Sequence, residues 1–283
     1  MTQTSQPTER REHNDADWYD FPAWYDILHA RGTAREVRGL EAIARRFADT
    51  PVYRRSTRSD ARPRWIEPAC GSGRYLRAAA SRGIRTVGID ANPHMIAYAK
   101  RSFAGRGLDG RFIAGDMTTT TIRPAADFAF CTINTIRHLP DDRAMLAHLE
   151  VIAASLKPGG VYAVGIGLTD YESEYPSEDT WTGTRGRCRV NQVIQYLPAS
   201  RERRVECAIN HLTIVTPRGE RHVDSVYELR AYSLRQWMRL LRRCPLELVG
   251  VCDEQAEPLE QGPSHAVNGY AIFVLQNPPL SAS

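Results

Sequence analysis

No run of 18 apolar residues occurs anywhere in this 283-residue chain, and its polar N-terminus lacks the profile of a secretory signal. A membrane-spanning helix is therefore not expected, and the cytoplasm is the default location. Cysteine is sparse and scattered: Cys70, Cys131, Cys188, Cys207, Cys244 and Cys252 include no C-x-x-C pair. That spacing argues for reduced thiols and against a zinc site, so no metal is expected. Lysine is nearly missing, since Lys100 and Lys157 are the only two among 37 basic residues. The formal charge of +4 is spread along the chain with no basic tract, so nothing demands nucleic acid. With 42% apolar and 25% charged residues, the composition is that of one globular domain, alone or with a large elaboration.

What is present begins with Trp65-Ile66-Glu67-Pro68-Ala69-Cys70-Gly71-Ser72-Gly73-Arg74. An apolar entry runs into a small-residue turn, and a helix follows from about Arg74 to a stop at Gly83. Gly71 and Gly73 allow a sharp turn and close approach of a ligand to the backbone. A second apolar run, Thr86-Val87-Gly88-Ile89, ends on Asp90, about 20 residues on, a spacing that suits a carboxylate accepting from ribose hydroxyls. The dinucleotide fingerprint would need a third small residue where Leu76 stands, so NAD is not the expected ligand.

The spacing Glu67-x-Ala69-x-Gly71-x-Gly73 resembles motif I of the class I S-adenosylmethionine (SAM) methyltransferases, with Ala69 replacing the first glycine. Three further segments follow in that family's order: Asp90-Ala91-Asn92-Pro93-His94-Met95, Gly115-Asp116-Met117, and the turn Leu156-Lys157-Pro158-Gly159-Gly160. The resemblance implies SAM as cofactor. It places Glu67 at the methionyl amine, Asp90 at the ribose with Ala91 and Met95 beside it, and Asp116 at the adenine amino group with Met117 on the ring. Asn92 as N-cap and Pro93 as first helical residue open a helix in any case.

Around these segments strand and helix alternate to about residue 168, with strands near 64–67, 85–89, 111–114, 127–132 and 161–166. That order predicts an α/β fold with a doubly wound, mostly parallel seven-stranded sheet, closed by a hairpin near 246–251 and 268–275. Residues 1–17 read as a disordered tail, 18–170 as the cofactor-binding core with an N-terminal lid, and 233–277 as completion of the sheet. Residues 171–232 interrupt the alternation. They carry three strand-like stretches (188–196, 204–215, 222–230), with turns at Pro198-Ala199-Ser200 and Pro217-Arg218-Gly219, and read as an antiparallel meander. Nine acids balance nine bases between Tyr171 and Tyr232, which does not suit a polyphosphate partner. The meander reads as a roof over an acceptor pocket, or alternatively as a homodimer interface.

Phe130 to Asp141 resembles the corresponding loop of glycine N-methyltransferase and of sugar amine N,N-dimethyltransferases, and the helix around Trp24-Tyr25 resembles their N-terminal lid. By that resemblance Tyr25 approaches the methionyl end, and Asp170 and Tyr171 stand at the acceptor mouth. His138, beyond a central strand, is the candidate base. Asn134 could bind the cofactor's amine or merely end the strand, and Arg230 could bind an acceptor carboxylate. The expected activity is methyl transfer to a small-molecule acceptor, with nitrogen favoured over oxygen or carbon. Methylation of protein or RNA, or SAM binding without catalysis, is the alternative.

Overall fold

A computed structural model describes residues 18–54, 61–173, 175–260, 262 and 269–279; the expected tail at 1–17 lies outside them. Two sheets organise the chain. The first contains β1 (Arg64–Pro68), β2 (Arg85–Asp90), β3 (Arg111–Ala114), β4 (Ala126–Cys131), β5 (Leu156–Gly167), β10 (Glu247–Cys252) and β11 (Tyr270–Gln276). Its order is β3-β2-β1-β4-β5-β11-β10, parallel except at β11, which runs antiparallel to both neighbours. The order reverses outward from β1, so β1 and β4 leave a crevice at their carboxyl ends, where α/β sheets bind ligands. Every residue of β4 is buried, as a central parallel strand covered on both faces requires.

Helices α2 (Thr33–Phe47), α3 (Arg74–Ala80), α4 (Pro93–Ala104), α5 (Asp142–Ser155) and α6 (Leu234–Leu241) cover this sheet. Local chemistry fixes their starts. The Asn92 side chain accepts from the His94 and Met95 N–H groups, Asp141 caps α5, and Ser233 with Gln236 forms a reciprocal capping box on α6.

The second sheet has four antiparallel strands where the sequence suggested three: β6 (Ser177–Arg185), β7 (Cys188–Ser200), β8 (Val205–Thr216) and β9 (Gly219–Arg230). β6 escapes detection because it is an edge strand of mostly polar, exposed residues. β7 also runs through Pro198, which was expected in a turn; a register shift between Leu197 and Ser200 accommodates it, and the chain turns at 201–204. The chain reverses after β8 at Pro217–Arg218, as expected.

Between the two sheets lies α1 (Pro22–Leu28), preceded by a 3₁₀ turn at Trp18–Asp20. Trp18, Ile27 and Leu28 pack against Val190, Leu212, Ile214 and Val223 of the second sheet. β6 crosses α1 so closely that a Cβ on Gly183 would lie 2.3 Å from the Ile27 carbonyl oxygen. Asp26, fully buried, gathers the three layers. Its Oδ1 accepts from Ser72 Oγ (2.9 Å) and Arg77 Nη2 (2.7 Å), and its Oδ2 accepts from Tyr98 Oη (3.0 Å) and Arg185 Nη2 (2.8 Å). Core helices α3 and α4 and the end of β6 thus meet on one carboxylate of α1. Freeing α1 would take from Arg77 and Arg185 the carboxylate they share.

Candidate functional site

Glu67 leaves the carboxyl end of β1 with its side chain buried, and its Oε2 has no hydrogen-bond partner. Burial holds its pKa well above the usual carboxylate range, against the nearby Arg74 guanidinium and with the help of Asp90. An orphaned buried carboxylate oxygen is a demand for a donor, and a ligand ammonium meets it. After Glu67 the chain alternates through left-handed residues, Ala69 (φ 52°), Gly71 (φ 51°) and Gly73 (φ 69°). The family's glycine at position 69 is thus replaced by an alanine in the same left-handed region, which costs about 1 kcal/mol. A Cβ on Gly71 would come 3.3 Å from the Tyr25 ring, so this loop and the lid meet at van der Waals distance.

Asp90, at the end of β2, fixes that loop from the other side. Its Oδ2 accepts from the Gly71 N–H (2.7 Å) and its Oδ1 from the Asn92 N–H (2.8 Å). Burial raises its pKa, and these two bonds work against the rise. Each oxygen keeps a second lone pair, the capacity that a ribose diol would use.

A cavity of about 830 Å³ opens over the end of β1. Its floor is Glu67, Pro68, Ala69 and Cys70, and Arg74 and Tyr75 continue it along α3. The N-terminal segment supplies Trp18, Tyr19, Tyr25 and His29, with Arg31 and Arg35 toward α2. The exit of β4 supplies Thr132, Ile133, Asn134 and His138. The second sheet closes the remaining side with Asp179, Trp181, Gln192, Ile194, Tyr196 and Tyr227 among others.

The β4 exit is strained. Ile133 and Asn134 are both left-handed (φ 57° and 61°), an outlier for a β-branched residue. The Ile133 N–H donates to the Tyr270 hydroxyl at 3.0 Å, and Asn134 Oδ1 accepts from the Gly167 N–H. That carboxamide oxygen is thereby committed to holding the loop. His138, exposed, has Nε2 3.2 Å from the Tyr19 hydroxyl and its ring 5.3 Å from that of Tyr227. Burial pushes the Tyr25 hydroxyl up to about 12, with Arg74 opposing and Glu67 and Asp90 adding. His29, its ring 4.6 Å from Tyr25, is pushed down to about 3 by burial and then by Arg74, so it is a neutral imidazole at physiological pH. The sequence reading passed over His29, although it stands four residues after Tyr25, a spacing that brings two rings to one side of a helical turn.

Of the residues singled out from sequence, Tyr25, Glu67, Ala69, Asn134 and His138 line this cavity; Gly71, Gly73, Asp90, Ala91, Met95, Asp116 and Met117 do not. The cavity stops short of them at the Trp18–Asp20 turn, which Asn92 Nδ2 holds through the Tyr19 carbonyl (3.3 Å) and Asp20 Oδ1 (2.8 Å). Met95 is almost completely buried in the core. Asp116 is exposed, with Oδ1 accepting from the Thr118 N–H and hydroxyl. The Met117 carbonyl lies 3.0 Å from Nδ1 of buried His148.

Asp170, Tyr171 and Arg230, expected at the acceptor, also stand outside this cavity. Asp170 and Tyr171 line a separate cleft with Arg201, Arg235 and Arg239, and the Tyr171 hydroxyl lies 3.2 Å from Gln236 Oε1. Arg230 turns the other way, donating to the Arg203 carbonyl (3.0 Å) and pairing with Asp142. The physical reason is local: along β9 Tyr227 and Leu229 face the cavity and the next residue, Arg230, points to the opposite side, while the segment between β5 and β6 is tied at Thr169 to the Tyr232 carbonyl beside α6.

The fold is one shared with SAM-dependent methyltransferases of known structure. Residues 66–160 match the model of a methyltransferase domain family. A curated relative, dTDP-3-amino-3,6-dideoxy-alpha-D-glucopyranose N,N-dimethyltransferase of Streptomyces fradiae, is 28% identical over 143 residues, 50% of each chain. The match thus spans about half the length of that protein. A SAM-dependent methyltransferase from Clostridium acetobutylicum shares the fold at TM-score 0.68 and 15% identity, over 92% of this chain and 99% of that one. The sugar N-methyltransferase KedS8 from Streptoalloteichus does so at TM-score 0.67 and 15% identity, over 98% and 99%. Among the described residues no helix is long and apolar enough to cross a membrane, and no cluster of ligating side chains could hold a metal ion.

Proposed function

We propose that the protein transfers a methyl group from SAM to the amino group of a small molecule, with an amino sugar as the class of acceptor. The observation that carries this reading is the cavity itself, which joins an orphaned carboxylate oxygen on the cofactor floor to an aromatic roof under the second sheet. An enclosure of about 830 Å³ suits a cofactor and a small acceptor better than a protein or RNA chain. The name of the curated relative supports a sugar-borne amine as the acceptor.

The residues present fit the cofactor: Glu67 would take its ammonium, Asp90 its ribose hydroxyls, and Gly71 the close backbone approach. When bound, SAM supplies an electrophilic methyl on a sulfonium. Admitting the nucleoside beside Asp90 requires the Trp18–Asp20 turn to shift, since Asn92 pins that turn at the boundary of the cavity. What the chain must do is exclude water, align the acceptor nitrogen and keep it neutral. Tyr25, Trp18 and the second sheet exclude water. His138 Nε2, within reach of the Tyr19 hydroxyl, is the group that takes the acceptor's proton and passes it to solvent.

The test is transfer of tritiated methyl from SAM to paired acceptors that differ only in an amino or hydroxyl group. Label on the amine alone is expected, at a rate at least about tenfold lower in His138→Ala, a modest figure for loss of a general base. Label on the hydroxyl member alone would contradict the reading.

A further inference from the structure

The roof brings one charged group to the cavity. Asp179 and Trp181 lie two residues apart on β6, and the register sets Asp179 opposite Ile194 and Trp181 opposite Gln192 on β7. All four line the cavity, so the carboxylate and the indole come off the same inner face of the sheet. Asp179 is exposed, and among the described residues its carboxylate has no hydrogen bond or ion pair. Its neighbour Tyr196 is pushed up to about 12, first by burial and then by the Asp179 carboxylate, so that charge is felt inside the aromatic wall. No cation of the second sheet lines the cavity. The arginine nearest in effect to Tyr196, Arg137, is already paired with Glu206, while Arg31 and Arg35 belong to the N-terminal segment.

A carboxylate without a partner, beside exposed ring surface, has one ligand chemistry that satisfies both. An ammonium group pairs with the carboxylate and is attracted to the face of an indole or phenol ring. A neutral hydroxyl can donate to the carboxylate but gains nothing from the rings.

We propose that Asp179 and Trp181 form the docking site for the acceptor's ammonium group and so select amine over alcohol acceptors. The inference rests on the amine-methylation reading above and adds the residues that recognise the acceptor. Docking captures the cation; the His138 imidazole then takes its proton and passes it to solvent, which frees the nitrogen lone pair.

The test uses the full chain and the amine acceptor that the tritium screen identifies. Asp179→Asn should raise KM for that acceptor at least about tenfold, the scale of one charge-assisted hydrogen bond, with S-adenosylhomocysteine affinity unchanged. Asp179→Glu should recover most of the loss, and Trp181→Leu should show a smaller rise in KM. Calorimetric binding of S-adenosylhomocysteine verifies that each variant is folded. An unaltered KM in Asp179→Asn would overturn the docking site while leaving amine methylation standing. A wild-type protein that labels only hydroxyls would overturn both.

Discussion

Replacing Asp26 by alanine should lower the unfolding free energy by about 3–5 kcal/mol, the cost of removing one partner from a buried ion pair. The carboxylate holds Arg77 and Arg185 at 2.7 and 2.8 Å, and its loss leaves both guanidinium groups without it at the junction of α1, α3 and β6. Urea unfolding measures the loss, and methyl transfer should fall with it because α1 forms one side of the cavity. The pH dependence carries a second signature. Burial raises the Asp26 pKa, but the hydrogen bonds and charges of Arg77 and Arg185 with Ser72 outweigh it, and the net value lies below the ordinary 3.8. Its stabilising contribution is therefore complete above the unfolded-state value and disappears as pH falls through the lower folded value. Asp26→Asn should lack that acid slope. A loss below about 1 kcal/mol, the range of a surface pair, would mean that α1 is not clamped in solution.

Asp90→Ala should reduce affinity for S-adenosylhomocysteine by about 2–3 kcal/mol, roughly 30- to 150-fold, through lost hydrogen bonds to a charged acceptor. Sequence reasoning alone would leave folding nearly intact in this variant. The structure adds a cost of about 2 kcal/mol, because Asp90 also accepts the Gly71 and Asn92 N–H groups that shape the loop and the start of α4. Calorimetry and thermal unfolding of one preparation separate the two effects. An unaltered affinity would remove Asp90 from the site.

The core of the fold was legible because its signals are local. The apolar run of β4, the glycines after Glu67, the Asn92-Pro93 start of α4 and the closing hairpin β10–β11 each announce themselves within a few residues. What was missed depends on distance in sequence. Asp26 looks like a solvated acid of an aromatic helix, and its partners Ser72, Arg77, Tyr98 and Arg185 lie 46 to 159 residues away. β6 has almost no apolar pattern because one edge of it pairs with no strand among the described residues, and its inner residues face the cavity instead of a core. Asp179 and Trp181 were invisible as site residues for that reason. Asp170 and Tyr171 were placed by resemblance and Arg230 by its position at the end of the meander; the first two line a separate cleft, and Arg230 pairs with Asp142.

The central claim is that the floor at Glu67 receives the amino end of SAM. Titration calorimetry of S-adenosylhomocysteine into the wild-type protein and Glu67→Gln tests it most directly, since the substitution keeps the shape and removes the charge that the orphaned Oε2 would share with an ammonium. One-to-one binding is predicted, weakened by at least about tenfold in the variant. Equal affinity in the two proteins, or no binding to the wild type, would contradict the account.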